Sequence, residues 1–132
     1  MNVDPIRIVT EYLETSGTAL YTLVGAEVYR DRMPSGFLNT AAMVCVQNQA
    51  LTNPVAQADV QEDRYAIKCY GGTQEASPAW AVFRALVTRL HNISTDTTAG
   101  GIVLAELEVA SLAWEPEGWP VVIATFRIKT HG

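Results

Sequence analysis

Residues 102–129 read IVLAELEVASLAW, then EPEG, then WPVVIATFRIK. Both long runs are rich in aliphatic, β-branched and aromatic residues, and the residues between them are turn formers. Ile102–Trp114 and Trp119–Lys129 therefore predict two long antiparallel strands joined by Glu115-Pro116-Glu117-Gly118. In the first strand Glu106 and Glu108 fall on one face and Leu107 and Val109 on the other, because side chains alternate along a strand.

The strongest helical signal lies ahead of this hairpin. Ser77-Pro78 opens a segment in which Trp80, Phe83, Val87 and Leu90 form an apolar stripe, widened by Val82 and Leu86. Arg84, Thr88 and Arg89 lie off the stripe. Another helix is predicted from Asp4-Pro5, a capping residue and a first-turn proline, through Ile6, Val9 and Leu13 to Ser16-Gly17. Thr18–Val24, closed by Gly25, reads as a helical turn packed on that helix. Val28-Tyr29 is a short strand, Ala42–Gln49 a second, and Arg64–Tyr70 a third, halted by Gly71-Gly72. Arg30–Asn39, Leu51–Glu62 and Ser94–Gly101 read as loops, and the middle one is long for a compact domain. Residues 1–132 thus predict a single domain of the α+β class. Its expected architecture is a mostly antiparallel β-sheet with two main helices packed on one face and a C-terminal β-hairpin.

Composition narrows the function. Charged residues make up 17% of the 132, against a usual quarter, and the net charge is -5. That balance disfavours a free-standing nucleic-acid binder, which needs cations to neutralise phosphates. No stretch approaches the roughly 20 apolar residues of a membrane span. Met1–Arg7 lacks the basic start and apolar stretch of a signal peptide, so a cytosol-like compartment is expected. Cys45 and Cys69 lie in strand-like runs and read as buried, inert thiols.

Motifs that carry chemistry are sparse. His91 and His131 have no cysteine or carboxylate at ligand spacing, so no metal is expected. Gly71-Gly72-Thr73 and Gly100-Gly101 match no phosphate-binding loop and read as turns. Glu106 and Glu108 share a strand face and would suit an acid/base pair, although a solvated face or an intersubunit contact is the commoner meaning. Asp59, Glu62 and Asp63 form a second acidic group in what reads as a wet loop. Trp114 and Trp119 flank the hairpin turn, and tryptophan is enriched at interface hot spots. Binding and assembly, with no cofactor and no catalysis, is the expected role.

The order of these segments resembles the tail terminator (tail completion) family of long-tailed bacteriophages. The resemblance is carried by Leu23-Val24-Gly25-Ala26-Glu27-Val28-Tyr29 after an N-terminal helix, Pro34 in the following loop, and Met43-Val44-Cys45-Val46-Gln47. It continues through a long polar loop, then Arg64–Gly71 running into the helix Ala79–Leu90, and the closing hairpin. It spans about Asp4 to Lys129. Thr40-Ala41-Ala42 stands where the family often has proline-tyrosine, and the turn from Trp114 to Pro120 is richer in tryptophan than is usual there.

The resemblance implies a homo-oligomeric ring, hexameric in the family, on the head-proximal end of the tail tube. Such a ring stops polymerisation of the tube protein and offers a docking surface for head completion proteins, while DNA passes through its lumen. It implies a place in the virion tail after assembly in the host cytoplasm, with no membrane involved. Candidate contacts with subunits, tube or head are Val28, Tyr29, Arg30, Arg32, Leu51, Thr52, Asn53, Val55, Gln57, Trp114 and Trp119. Arg30 and Arg32 would pair with an acidic tube surface, and the loop Leu51–Glu62 would order on docking. Asp59, Glu62, Asp63, Glu106 and Glu108 are candidates for an acidic lumen that repels phosphates. The alternatives are another head-tail connector such as a stopper, a tube component, or, in a different class, a dimeric binding module or a small dimeric α+β enzyme using Glu106 and Glu108.

Overall fold

A computed structural model describes residues 5–25, 27–31, 42–49, 53–54, 60–96, 100–115 and 118–131. The sheet is built around β4 (Val60–Tyr70) and β7 (Pro120–His131), antiparallel from Val60 opposite His131 to Tyr70 opposite Val121. On one side of this pair lie β2 (Met43–Asn48) and then β1 (Val28–Arg30); on the other lie β6 (Gly101–Trp114) and β5 (Thr95–Asp96). A two-residue β3 (Asn53–Pro54) pairs with β4 at Glu62 and Gln61. All pairings are antiparallel except β1 with β2, which is parallel.

The alternation of apolar residues decides which face is covered. Val122, Ala124, Phe126 and Ile128 of β7 stand opposite Cys69, Ile67, Tyr65 and Asp63 of β4, and Val44 and Val46 of β2 continue the same face. This face forms one core with α1 (Pro5–Leu13), α2 (Ala19–Val24) and α3 (Ala76–Leu90). The α+β architecture with helices on one face of a mostly antiparallel sheet is therefore as the sequence predicts. No described helix lies on the opposite face.

Several local expectations shift. The helix α2 lies against α3 and β2 rather than chiefly on α1. Thr18 caps it, with its Oγ1 accepting the Tyr21 N–H at 3.0 Å, and Gly25 at φ +58° ends it. The helix α3 begins at Ala76, so Pro78 sits in the first turn, where its missing N–H has no helical partner to lose. Its buried side is Ala79, Val82, Ala85, Leu86 and Leu90, while Trp80, Phe83 and Val87 lie at the margin. The alanines let the helix approach the sheet closely, and the aromatic pair packs edge-to-face at 5.5 Å beside them. Gly71 permits the turn from β4: a Cβ there would meet Ala79 N and Pro78 Cβ at 2.5 Å.

The loops are also shorter than predicted. The strand β4 begins at Val60, not Arg64, so Glu62 and Asp63 are strand residues rather than loop residues. The segment 94–101 contains β5. The ends of α1 and α3 are fastened together: Tyr12 Oη donates to Arg89 O at 2.8 Å, Arg89 Nη2 donates to Tyr12 O at 3.1 Å, and the guanidinium stacks over the Tyr12 ring at 3.6 Å. No helix among the described residues is long and apolar enough to cross a membrane.

Candidate functional site

A sheet has two edges, and each edge strand leaves half of its amide groups without a ladder partner. In β1, Glu27 O accepts from Val44 N at 3.1 Å and Asp31 N donates to Val46 O at 2.8 Å. In a parallel ladder alternate residues serve the same neighbour, so Val28 and Arg30 turn their amide groups outward. The strand end is fixed by Gln47 Nε2, which donates to Asp31 O at 2.7 Å. Tyr29 lies on the helix-free face and donates its hydroxyl to Glu27 Oε2, which holds the phenol pKa above its ordinary value.

At the other edge, the first half of β6 is closed. β5 pairs with Gly101 and Ile102. Beyond it Asn92 N donates to Ala105 O at 2.7 Å, and Leu107 N donates to His91 Nδ1 at 3.1 Å. Ala105 and Leu107 therefore point their amides away from β7. The register slips by one residue between Leu107 and Val109, after which Ala110, Leu112 and Trp114 stand opposite Ala124, Val122 and Pro120. The same alternation turns these three outward, and no described strand lies beside them.

This uncapped half carries apolar side chains. Among the described residues, the exposed large hydrophobics are Val103, Leu104, Val109, Leu112 and Trp114, all on β6, and Leu23 on α2. Val109 is 58% and Trp114 57% exposed. The slip also corrects the expected alternation: Val109 stands opposite Thr125 and shares the helix-free face with Glu106 and Glu108, not the face of Leu107. A bulge puts two neighbouring residues opposite one, so both turn the same way. The sequence gives no sign of it.

The end of the hairpin is braced rather than loose. Tyr70 Oη donates to Glu115 Oε1 at 2.7 Å, and Glu115 N donates to Trp119 O at 2.8 Å. Burial and the Glu115 carboxylate together push the Tyr70 phenol far above its ordinary pKa. Beneath this brace Met43, Tyr70 and Val121 form a small second core with Tyr29, Ala113 and Ile123 on the helix-free face. Composition reading missed that patch, although Met43, Tyr70 and Val121 fall in register only once strand order is known.

The acidic group does not gather into one surface. Asp63 is a correction: strand alternation turns it toward the helices opposite Ile128, and it is 2% exposed, so it lines no lumen in this chain. Glu62, Glu106 and Glu108 do share the helix-free face, but each has a cation. Arg127 Nη2 lies 2.8 Å from Glu106 Oε1, Arg64 Nε 2.9 Å from Glu108 Oε1, and Lys129 Nζ 3.9 Å from Glu62 Oε1. Lys68 stands on the same face. Glu106 and Glu108 thus each form an ion pair with a different arginine. Such exposed pairs are screened by water and contribute little to stability.

Val28, Tyr29 and Arg30 lie together on the β1 edge, whereas Trp114 ends β6 on the other side of the sheet and Trp119 immediately precedes the interior strand β7. Arg32, Leu51, Thr52, Val55, Gln57 and Asp59 fall outside the described residues, and Asn53 is placed only as backbone of β3. Cys45 and Cys69 are free and buried on opposite faces of adjacent strands, and burial raises both thiol pKa values.

No protein-family model matches the chain. No curated protein matches its sequence. Its fold is shared with a chain from the virion of a native gene transfer agent particle, at a TM-score of 0.73 and 19% identity, over 96% of this chain and 93% of that one.

Proposed function

We propose that this chain is a structural subunit of a phage-type virion, and within it a tail terminator. In this role copies form a ring, hexameric as the family resemblance implies, on the head-proximal end of the tail tube. The ring ends growth of the tube, presents its other side to head completion proteins, and lets DNA through without binding it specifically. The protein is not an enzyme in this reading and needs no cofactor.

The observation that carries the proposal is the likeness of fold over nearly the whole length of a virion chain, together with the family's order of segments in the sequence. The uncapped, apolar half of β6 supports it, because a subunit that must meet a neighbour leaves such an edge open. The neutralised glutamates fit a structural face better than a proton-transfer site. The test is to add the purified chain to polymerising tail-tube protein from the same source and image the product. Tubes arrested with one ring at one end support the terminator role. Tubes that grow unaffected, with nothing at their ends, overturn it.

A further inference from the structure

The two sheet edges differ in a way that suits them to each other. The β1 edge is short and ends in a cation; the open half of β6 is longer, apolar and ends in an indole. Residues whose amides point outward are Val28 and Arg30 on one edge and Ala110, Leu112 and Trp114 on the other. All of them carry their side chains on the helix side of the sheet, because Val28 stands opposite Val44, and Ala110 and Leu112 opposite Ala124 and Val122.

We propose that the Ala110–Trp114 segment of β6 in one copy pairs with β1 of the next copy, so that the sheet runs on from subunit to subunit. This rests on the reading of the chain as a ring-forming subunit. Joining the edges in this way continues both faces at once: helix side meets helix side, and the ladder gains amide partners on both strands. It also sets Arg30 beside the Ala110–Trp114 segment, within diagonal reach of the Trp114 indole when it stands opposite Leu112. Arg30 is exposed and makes no ion pair with a described residue, and a guanidinium over an indole is a favoured contact.

A second copy is favoured over a foreign peptide because both halves of the contact are present on one chain. Pairing β6 with β6 would close at a dimer and leave β1 bare, whereas β6 with β1 is heterologous and can close a ring. The five residues from Ala110 to Trp114 span only about 17 Å of strand, too short to bury the roughly 1,600 Å² of a standard interface by themselves. One such contact is therefore weak, and ring closure or the tube end must supplement it.

Disulfide trapping tests the pairing. Cys45 and Cys69 are buried and do not compete. Chains carrying Arg30→Cys together with Ala110→Cys, Leu112→Cys or Trp114→Cys are oxidised with and without tube protein. Neighbouring strands bring side chains within disulfide reach. The expected result is that one of the three double variants yields a ladder of covalent multimers ending at the ring, while each single variant stays monomeric under denaturation. Capped tubes without cross-links, or dimers from Leu112→Cys alone, overturn the edge pairing and leave the terminator reading standing. Neither cross-links nor tube-end capping by the unsubstituted chain overturns both. Melting curves near that of the parent confirm that the exposed substitutions leave the fold intact.

Discussion

Replacing Trp114 by alanine should weaken assembly at least as much as folding. The side chain is 57% exposed. A tryptophan offers roughly 250 Å², so about 140 Å² remain for a neighbour to cover, worth about 3.5 kcal/mol at about 25 cal/mol per Å². Association costs absorb part of this, which leaves a loss of about 2–3 kcal/mol per interface, or roughly 30- to 150-fold in affinity. The portion already covered within the chain is worth about 2.7 kcal/mol at most, so the melting temperature should fall by no more than about 11 °C. The assay is the concentration of Trp114→Ala needed to occupy half of the tube ends, set beside a thermal melt of the same preparation. Occupancy at the parent concentration with the fold intact would refute the assignment of this surface to a contact.

Three further outcomes concern the fold itself. Phe126→Ala removes a fully buried ring between β4 and β6 and should cost about 3–5 kcal/mol in a denaturant titration. Tyr12→Phe deletes the hydroxyl that donates to Arg89 O while keeping the ring under the guanidinium. It should cost about 1 kcal/mol, and amide exchange should quicken at the ends of α1 and α3. Alkaline pH should also destabilise the chain. Burial raises the Cys69 and Tyr70 pKa values above the ordinary 9.0 and 10.0, so the folded state keeps protons that the unfolded chain releases. Their stabilising contribution is complete below about pH 9 and declines as pH rises through and beyond the unfolded values. A melting temperature that stays constant from pH 8 to pH 11 would contradict this.

Much of the fold could be read from residue patterns because those patterns are periodic and long. The runs Ile102–Trp114 and Trp119–Lys129 predict β6 and β7 to within two residues, and Tyr65, Ile67 and Cys69 mark the covered face of β4. The two-residue strands β3 and β5 were not legible, because two residues carry no period. Nor were the bulges in β6, which depend on pairing with β7 and decide the side taken by Val109. The stripe on α3 lies slightly off its true axis in the sequence pattern, since large residues weigh more there than the buried Ala79 and Ala85.

The candidate site was legible only in part. Residue type and strand ends single out Trp114, Val28 and Arg30, and these lie on stretches of strand with no described strand beside them. Asp63 departs from the acidic group for a reason of strand geometry: Glu62 and Asp63 are neighbours in sequence and so must face opposite ways. The cations that neutralise Glu106 and Glu108 come from β7 and β4, at separations in sequence that no local pattern reveals.

The position of the chain along the tail tube tests the central claim most directly. Tubes grown with a gold-labelled form of the chain can be imaged and the labels mapped. The account predicts label at one end of each tube only, and tubes that no longer lengthen once labelled. Label distributed along the tube, as for a tube component, or absent from tubes that keep growing, would contradict it.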